Sequence, residues 1–496
     1  MKILFVVADL FISEPIGIMQ LSAICKKNKH STKLIALRRH SLLKSLQEFE
    51  PDIIAYSAMT PDWKLFKEAD SLVKKFIKQN KRDIFRVMGG PHPTYFPEVI
   101  EAIDLNAICI GEGDNALINI IDRLKDGRGI DNITNVLTRE NFTSLNYKKE
   151  LITNLDDLPY PDREIIYDAV PHYRYIRMKS FMTSRGCPYS CSYCHNHVFN
   201  EMFGNCGQIL RRRSVASVIG EIKNVILNYQ PIKFIHFSDD TFAHTVDDWL
   251  IEFLGRYSKE IGIPFYCLMR SNTLNEEMAK ILAQAGCFSI GMSVETGDEG
   301  VRNNILKRKL ADEVVKESFN NARKYKINTF GNTMFGLPST TLKDDFNSFI
   351  FTKRLKLTVP TFGIFCPYPK TELTDYAVKK GLLDKDYEFD AKYNFESALK
   401  CFSKNEKKIQ LRMTYLASIF CSLPDSFIPL FKILAKLNLK YIYSFFGSLY
   451  LIYRTGTKIF PRIYPSNPWL FLKILIESFT FSNPVRMKRI ACENEL

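Results

Sequence analysis

Three cysteines fall within eight residues, in Thr183-Ser-Arg-Gly-Cys187-Pro-Tyr-Ser-Cys191-Ser-Tyr-Cys194-His-Asn196. Thiols this close, on a loop directly after an apolar segment, form a metal-binding constellation. With 12 cysteines in 496 residues, the spacing CxxxCxxC is expected by chance roughly 0.007 times per chain. A structural zinc site usually takes four ligands, often as two separated CxxC pairs. Here no second pair follows, and His195 and His197 are the near candidates for a fourth ligand. Iron–sulfur clusters are normally held by four thiolates, so a [4Fe–4S] cluster on three protein ligands leaves one iron open to a small molecule. A zinc site, a redox-sensing trio of free thiols and such a cluster are the competing readings.

A loop of this kind needs rigid elements behind it. From residue 179 the pattern strand, loop, helix repeats about six times, with strands expected over 179–183, 233–237, 264–269, 289–294, 327–335 and 362–366. Repeated βα units close into a full or partial barrel with its chemistry at the strands' carboxyl ends. Polar clusters stand at those ends: Ser238-Asp239-Asp240, Arg270, Glu295-Thr-Gly-Asp298, Gly336-Leu-Pro338 and Pro367-Tyr-Pro369. Residues 1–135 also alternate strands and helices, which argues for a Rossmann-like parallel sheet covered on both faces. Ligands on such sheets lie at the carboxyl ends of the strands, where the turns Ser57–Thr60, Gly89–Thr94 and Gly111–Asp114 fall. Glycines there let backbone approach a bulky ligand. Residues 136–178 read as an irregular linker, since Pro159 and Pro161 favour extended backbone around them. The barrel is expected over 179–395 and a helical region over 396–496.

Length favours two or three domains, and 46% hydrophobic with 25% charged residues is a globular composition. The opening apolar run reads as a buried strand rather than a signal peptide. Dispersed cysteines outside the trio suit a reducing cytoplasm, and no run reaches the length of a spanning helix. From residue 401 onward 14 Lys/Arg stand against 5 Asp/Glu, which favours an anionic partner for the tail. Lys432, Lys436 and Lys440, at i, i+4 and i+8, would form one basic stripe. That stripe could meet an anionic membrane or be the solvated face of a helical cap. Nucleic acid is not expected, because no recognition module stands out.

CxxxCxxC after a strand, with its Arg-Gly-Cys-Pro and Cys-His-Asn flanks, resembles the signature of the radical SAM superfamily. The resemblance implies that Cys187, Cys191 and Cys194 bind a [4Fe–4S] cluster whose free iron takes S-adenosylmethionine (SAM), with Tyr193 against SAM. It places Ser238, Asp239 and Asp240 at the SAM amino group and Glu295 at the ribose hydroxyls, where a carboxylate accepts both protons. Arg270 would offset the SAM carboxylate. Residues 1–135 resemble the cobalamin-binding domain that precedes the barrel in one large subclass, on Pro15-Ile-Gly-Ile18, Pro51-Asp-Ile-Ile54, Gly89-Gly-Pro-His-Pro-Thr94 and Gly111-Glu-Gly-Asp114. Cobalamin would then meet Ser57, Thr60, Gly89, Gly90, Gly111, Glu112 and Gly113. The Asp-x-His-x-x-Gly loop of many cobalamin proteins is missing, Asp9-Leu-Phe-Ile12 standing in its place. Many radical SAM members lack that histidine too, and His92 reads as a turn residue. A Rossmann-like domain that has kept its shape without the cofactor is the other reading.

The resemblance implies reductive cleavage of SAM and methyl transfer to an unactivated carbon, with oxidative ring closure as the alternative. No catalytic residue is expected beyond the cluster. The implied partners are a small-molecule or lipid-like substrate and an electron donor such as flavodoxin or ferredoxin, in the cytoplasm or peripherally at the membrane. The rival class is a non-catalytic zinc-binding or redox-sensing protein.

Overall fold

The computed structural model describes residues 1–10, 14–142, 147–390, 395–461, 463–465 and 467–481. Its first sheet comprises β1 (Lys2–Val7), β2 (Ser31–Ala36), β3 (Ile53–Ser57), β4 (Phe85–Gly89), β5 (Ala107–Cys109) and β6 (Val136–Leu137). The order is β2-β1-β3-β4-β5-β6, parallel except for the antiparallel β5–β6 pair. Successive side chains of a strand face opposite ways. Ile3, Phe5 and Val7 therefore join one apolar layer, and Leu4 and Val6 the other. A strand buried on both faces must read as an unbroken apolar run. The strand order reverses between β1 and β3, which leaves a crevice at their carboxyl ends.

The stretch 136–178 is more ordered than its prolines suggest. It supplies β6 and the helix Glu164–Ala169. Its Arg163, 1% exposed, donates to Glu14 Oε2 at 2.5 Å, the Ser180 carbonyl at 2.7 Å and Glu221 Oε1 at 3.3 Å. A cation this deep persists only when paired and hydrogen-bonded. Burial alone would push the Glu14 carboxyl up, but Arg163 and Lys179 override it and hold it below its ordinary value. The network joins the loop after β1, the connecting stretch and the first barrel strand.

The second sheet comprises β7 (Met178–Phe181), then, after a small antiparallel ribbon of β8 (Ser184–Arg185) and β9 (Arg211–Arg212), β10 (Phe234–Phe237), β11 (Phe265–Leu268), β12 (Cys287–Gly291), β13 (Asn328–Phe335) and β14 (Val359–Ile364). The order is β7-β10-β11-β12-β13-β14, parallel throughout. Helices between the strands complete a six-stranded partial barrel.

Four helices follow: Lys404–Cys421, Ile428–Lys436, Lys440–Arg454 and Pro468–Phe481. The first packs Ile409, Met413 and Phe420 in one cluster with Phe335, Phe349 and Phe362 of the barrel's β13–β14 side. The chain then turns back under the barrel. The Ile459 carbonyl accepts from Ser289 Oγ at 2.6 Å, Phe460 lies 4.8 Å from the Tyr266 ring, and the Ile463 carbonyl accepts from Arg177 N at 2.8 Å. These partners stand at the amino ends of the strands, so the segment plugs the end of the barrel opposite the cysteine loop. The last helix is tied to the first sheet through Glu477, which pairs with Arg39 at 2.8 Å and His172 at 2.9 Å. The expected stripe of Lys432, Lys436 and Lys440 is divided. The first two lie on the helix Ile428–Lys436 and the third opens the next helix, because the chain turns at Leu437–Leu439. Among the described residues no helix is long and apolar enough to cross a membrane.

Candidate functional site

The cysteine loop leaves β7 and is fixed at its root by Asp239. That buried carboxylate accepts from the Thr183 and Ser184 backbone N–H groups at 3.0 and 2.6 Å and from both their hydroxyls. Asp239, expected to face a ligand, thus uses its oxygens to hold the loop. Ser238 Oγ lies 3.2 Å from His236 Nδ1, and Asp240 is placed near Cys187 and Cys194. Cys194 ends the loop as the cap of the helix His195–Phe203, its sulfur 3.5 Å from Asn196 N. Burial pushes the Cys194 thiol up to about 11, with Cys191, Asp240 and Cys187 adding and the Asn196 N–H opposing. Metal binding requires the thiolates, so this loop needs positive charge beside it.

Arg270 supplies that charge. Its Nη1 lies 3.2 Å from Cys191 Sγ, its guanidinium stacks 4.0 Å from the Tyr189 ring, and its Nη2 donates to the Arg308 carbonyl. Beyond it, Tyr193 Oη donates to Glu295 Oε1 at 3.0 Å, and Arg308 Nη1 approaches the same oxygen at 3.7 Å. Burial raises the Glu295 carboxyl, while Arg308 and the Tyr193 hydroxyl oppose it. Glu295 itself adopts φ 66°, a left-handed backbone uncommon for a non-glycine residue and a mark of functional strain. The Nε atoms of Arg270 and Arg308 and the Ser271 hydroxyl are buried without a hydrogen-bond partner. Orphaned arginine Nε atoms also occur at Arg163, Arg302 and Arg454, so it is the Ser271 hydroxyl together with the charge of Arg270 and Arg308 that would suit a polar, anionic group here.

Among the described residues, no group of three His, Cys, Asp or Glu side chains stands ready to hold a single ion. A [4Fe–4S] cluster takes one thiolate per iron, so Cys187, Cys191 and Cys194 would hold three irons and leave the fourth without a protein ligand.

Facing this loop across the molecule is the carboxyl edge of the first sheet. A cavity of ≈ 360 Å³ lies between them. Its walls on one side are Phe5, Ala55, Val87 and Leu117, with the turns holding Ser57, Gly89, Gly90, Gly111, Glu112 and Gly113; on the other are Met182, Ser184, Ser238 and Asp240. The apolar walls suit the face of a corrin ring and the bare backbone turns its amide-bearing rim, the ≈ 360 Å³ enclosed here taking only part of a cofactor as large as cobalamin, and no histidine lines them among the described residues. Thr60 is elsewhere. It borders a separate cleft of ≈ 1850 Å³ with Trp63, His92 and Phe96. His92 is packed between Trp63 and Phe96, at ring distances of 4.8 and 5.0 Å. The reason for glycine at 111 also differs from expectation. Its φ is +77°, and a Cβ there would lie 2.5 Å from the Phe203 ring, so the close neighbour is the helix after the cysteine loop.

Residues 181–349 match the Radical SAM superfamily and residues 4–121 the B12 binding domain. The chain belongs to the radical SAM enzymes that carry a B12-binding domain. The family's cofactors are the [4Fe–4S] cluster, SAM and cobalamin. An uncharacterized methyltransferase of Pyrococcus horikoshii is 29% identical over 382 residues, covering 74% of this chain and 79% of the relative. An anaerobic magnesium-protoporphyrin IX monomethyl ester cyclase of Rubrivivax gelatinosus is 23% identical, covering 72% of this chain and 63% of the relative. Among solved structures, the cobalamin-dependent SAM radical enzyme OxsB, with aqua-cobalamin and SAM bound, superposes with a TM-score of 0.69 at 16% identity, covering 97% of this chain and 75% of that one. The rival reading as a zinc or sensor protein falls with this membership.

Several residues of the site escaped the sequence reading. Arg308 sits in Ile305-Leu-Lys-Arg-Lys309 with no motif around it; only its place one loop beyond Glu295 could have drawn notice. Arg185 and Arg211, noted in the sequence only as parts of motifs and without this role, join the two halves, Arg185 through a two-bond pair with Asp114 at 2.8 and 3.0 Å and Arg211 to Glu112 at 2.9 Å. Tyr95 of the first half stacks on His195 at 4.4 Å.

Proposed function

We propose that this chain transfers a methyl group from SAM, by way of cobalamin, to an unactivated carbon of a small-molecule or lipid-like substrate. The observation that supports this most is the cavity shared by the two strand edges, glycine turns on one side and, on the other, Ser184, Arg185 and Gly186 at the root of the cysteine loop. When bound, the cluster supplies the electron that cleaves SAM, and cobalamin carries the methyl group. The protein's part is position and charge. Cys187, Cys191 and Cys194 hold the cluster, and Arg270 balances the thiolates. Glu295, kept in place by Tyr193 and Arg308, accepts the ribose hydroxyls. Asp239 sets the loop, and Asp240, which also meets the Asn196 side chain, is the acid left for the SAM amino group. Ser57, Gly89, Gly90, Gly111, Glu112 and Gly113 cradle the cobalamin.

The cleft of ≈ 1850 Å³ beside Trp63, His92, Pro369 and Tyr387 exceeds the roughly 300–1,000 Å³ of ordinary ligand pockets and suits a bulky substrate. An electron donor of the flavodoxin or ferredoxin kind completes the reaction. Ring closure is the second reading, favoured by the likeness to the cyclase. The test is anaerobic reconstitution followed by iron and cobalt analysis, then turnover with SAM labelled in its methyl group. Label in the product supports methyl transfer. Cobalt near zero after reconstitution, or product without label, removes it.

A further inference from the structure

The C-terminal helices turn an apolar face outward, the reverse of what a surface helix presents. On the helix Lys440–Arg454, Tyr443 and Gly447 face inward, Gly447 so tightly that a Cβ would lie 2.5 Å from the Tyr415 carbonyl. Tyr441, Phe445, Leu449 and Ile452 recur every three or four residues on the outer side, Tyr441 81% and Phe445 65% exposed. Ile433 of the preceding helix and Trp469 of the last are 57% and 80% exposed. Exposed large apolar side chains recurring along one helix face in this way mark an interaction site.

Charge decides what it meets. From residue 426 to 476 the chain holds seven Lys/Arg and no Asp or Glu. Lys432, Lys436 and Lys440 stand exposed among the apolar residues. Apolar side chains edged by cations, with no acid between, complement acyl chains beneath anionic headgroups. A second copy of the chain would set like charges against each other, which disfavours self-association. Because no described helix can cross a bilayer, these helices would lie in its surface. The inner sides of these helices pack on the helix Lys404–Cys421 through Phe431, Ala435 and Tyr443, which attaches the face to the catalytic body.

We propose that the helices Ile428–Lys436 and Lys440–Arg454, with Trp469, dock this enzyme on an anionic lipid bilayer. The inference does not rest on the reaction at the cysteine loop, although Lys440 and Tyr441 at the edge of this face also border the cleft of ≈ 1850 Å³. The test is sedimentation of the full-length holoenzyme with phosphatidylcholine vesicles, with and without phosphatidylglycerol. Binding is expected to require phosphatidylglycerol and to fall with salt. Lys432→Glu with Lys436→Glu should weaken it by about thirty-fold or more, since each Lys near such a surface contributes about a five-fold gain. Phe445→Asp with Phe446→Asp should abolish it, while SAM cleavage in vesicle-free solution stays unchanged. Absence of binding to either vesicle overturns the proposal, as does binding that both double variants leave intact. Light scattering that shows a dimer dispersed by Phe445→Asp, without vesicle binding, would assign the face to a second copy instead.

Discussion

The two strand edges that meet at the cavity are built on opposite plans. On the barrel side, charged side chains converge on the cysteine loop, some paired and some left with orphaned polar atoms: Arg270, Arg308, Glu295 and Tyr193. On the first-sheet side the wall is apolar, and the polar contribution comes mainly from backbone at Gly89, Gly90, Gly111 and Gly113. A small, highly charged ligand needs fixed counter-charges in a low-dielectric setting. A broad ligand needs clearance and area. The contrast is what supports the proposed placement of SAM at one edge and of the corrin at the other.

Replacing Cys191 with Ala tests the charged edge hardest. Iron content should drop and SAM cleavage should vanish, while hydroxocobalamin still binds; SAM cleavage that survives would break the assignment. Next in size, Glu295→Gln and Arg308→Ala should each weaken SAM binding by roughly ten- to hundred-fold, the value of a charge-assisted hydrogen bond, with iron content held. Equal loss of cobalamin affinity in these variants would erase the difference between the edges. Gly111→Ala acts on the other wall. A left-handed Ala costs roughly 1–2 kcal/mol, and its Cβ must displace Phe203. Cobalamin retention should fall by about ten-fold with the cluster intact. Smallest, Glu112→Gln loosens the pairs with Arg211 and Arg185 and should cost about 1 kcal/mol in chemical denaturation, sharpening whether those links only fasten the halves.

The sequence was most legible where chemistry is local. The helices Leu42–Phe49 and Trp63–Asn80 stand where their apolar spacing puts them, and the barrel strands lie within a few residues of expectation. The last was read late, at 362–366 instead of Val359–Ile364, because Pro360 and Thr361 do not read as strand. The polar clusters at Asp240, Arg270 and Glu295 could be placed together because successive parallel strands end on one side. Asp239 could not be separated from Asp240, since alternation decides which carboxylate turns back to the loop. Thr60 was grouped with Ser57 by adjacency, but the short helical turn Thr60–Asp62 carries it to the other cleft.

By itself, the sequence determined the cysteine spacing, the two successions of strands and helices, the glycine turns and the net cationic tail. Each rests on contacts within a few residues or on a repeating period. The tertiary structure alone decided that Arg163 would be buried between Glu14 and Glu221, that Arg308 would reach Glu295, and that Ile459 and Phe460 would plug the barrel. Those pairings join residues far apart in the chain, and their energies depend on burial and on distances that no local pattern encodes. The same holds for the cysteine loop. Its three thiols announce a metal, but only the closure of the barrel sets Arg270 beside them, and only the packing of the two sheets sets a cavity across from the loop.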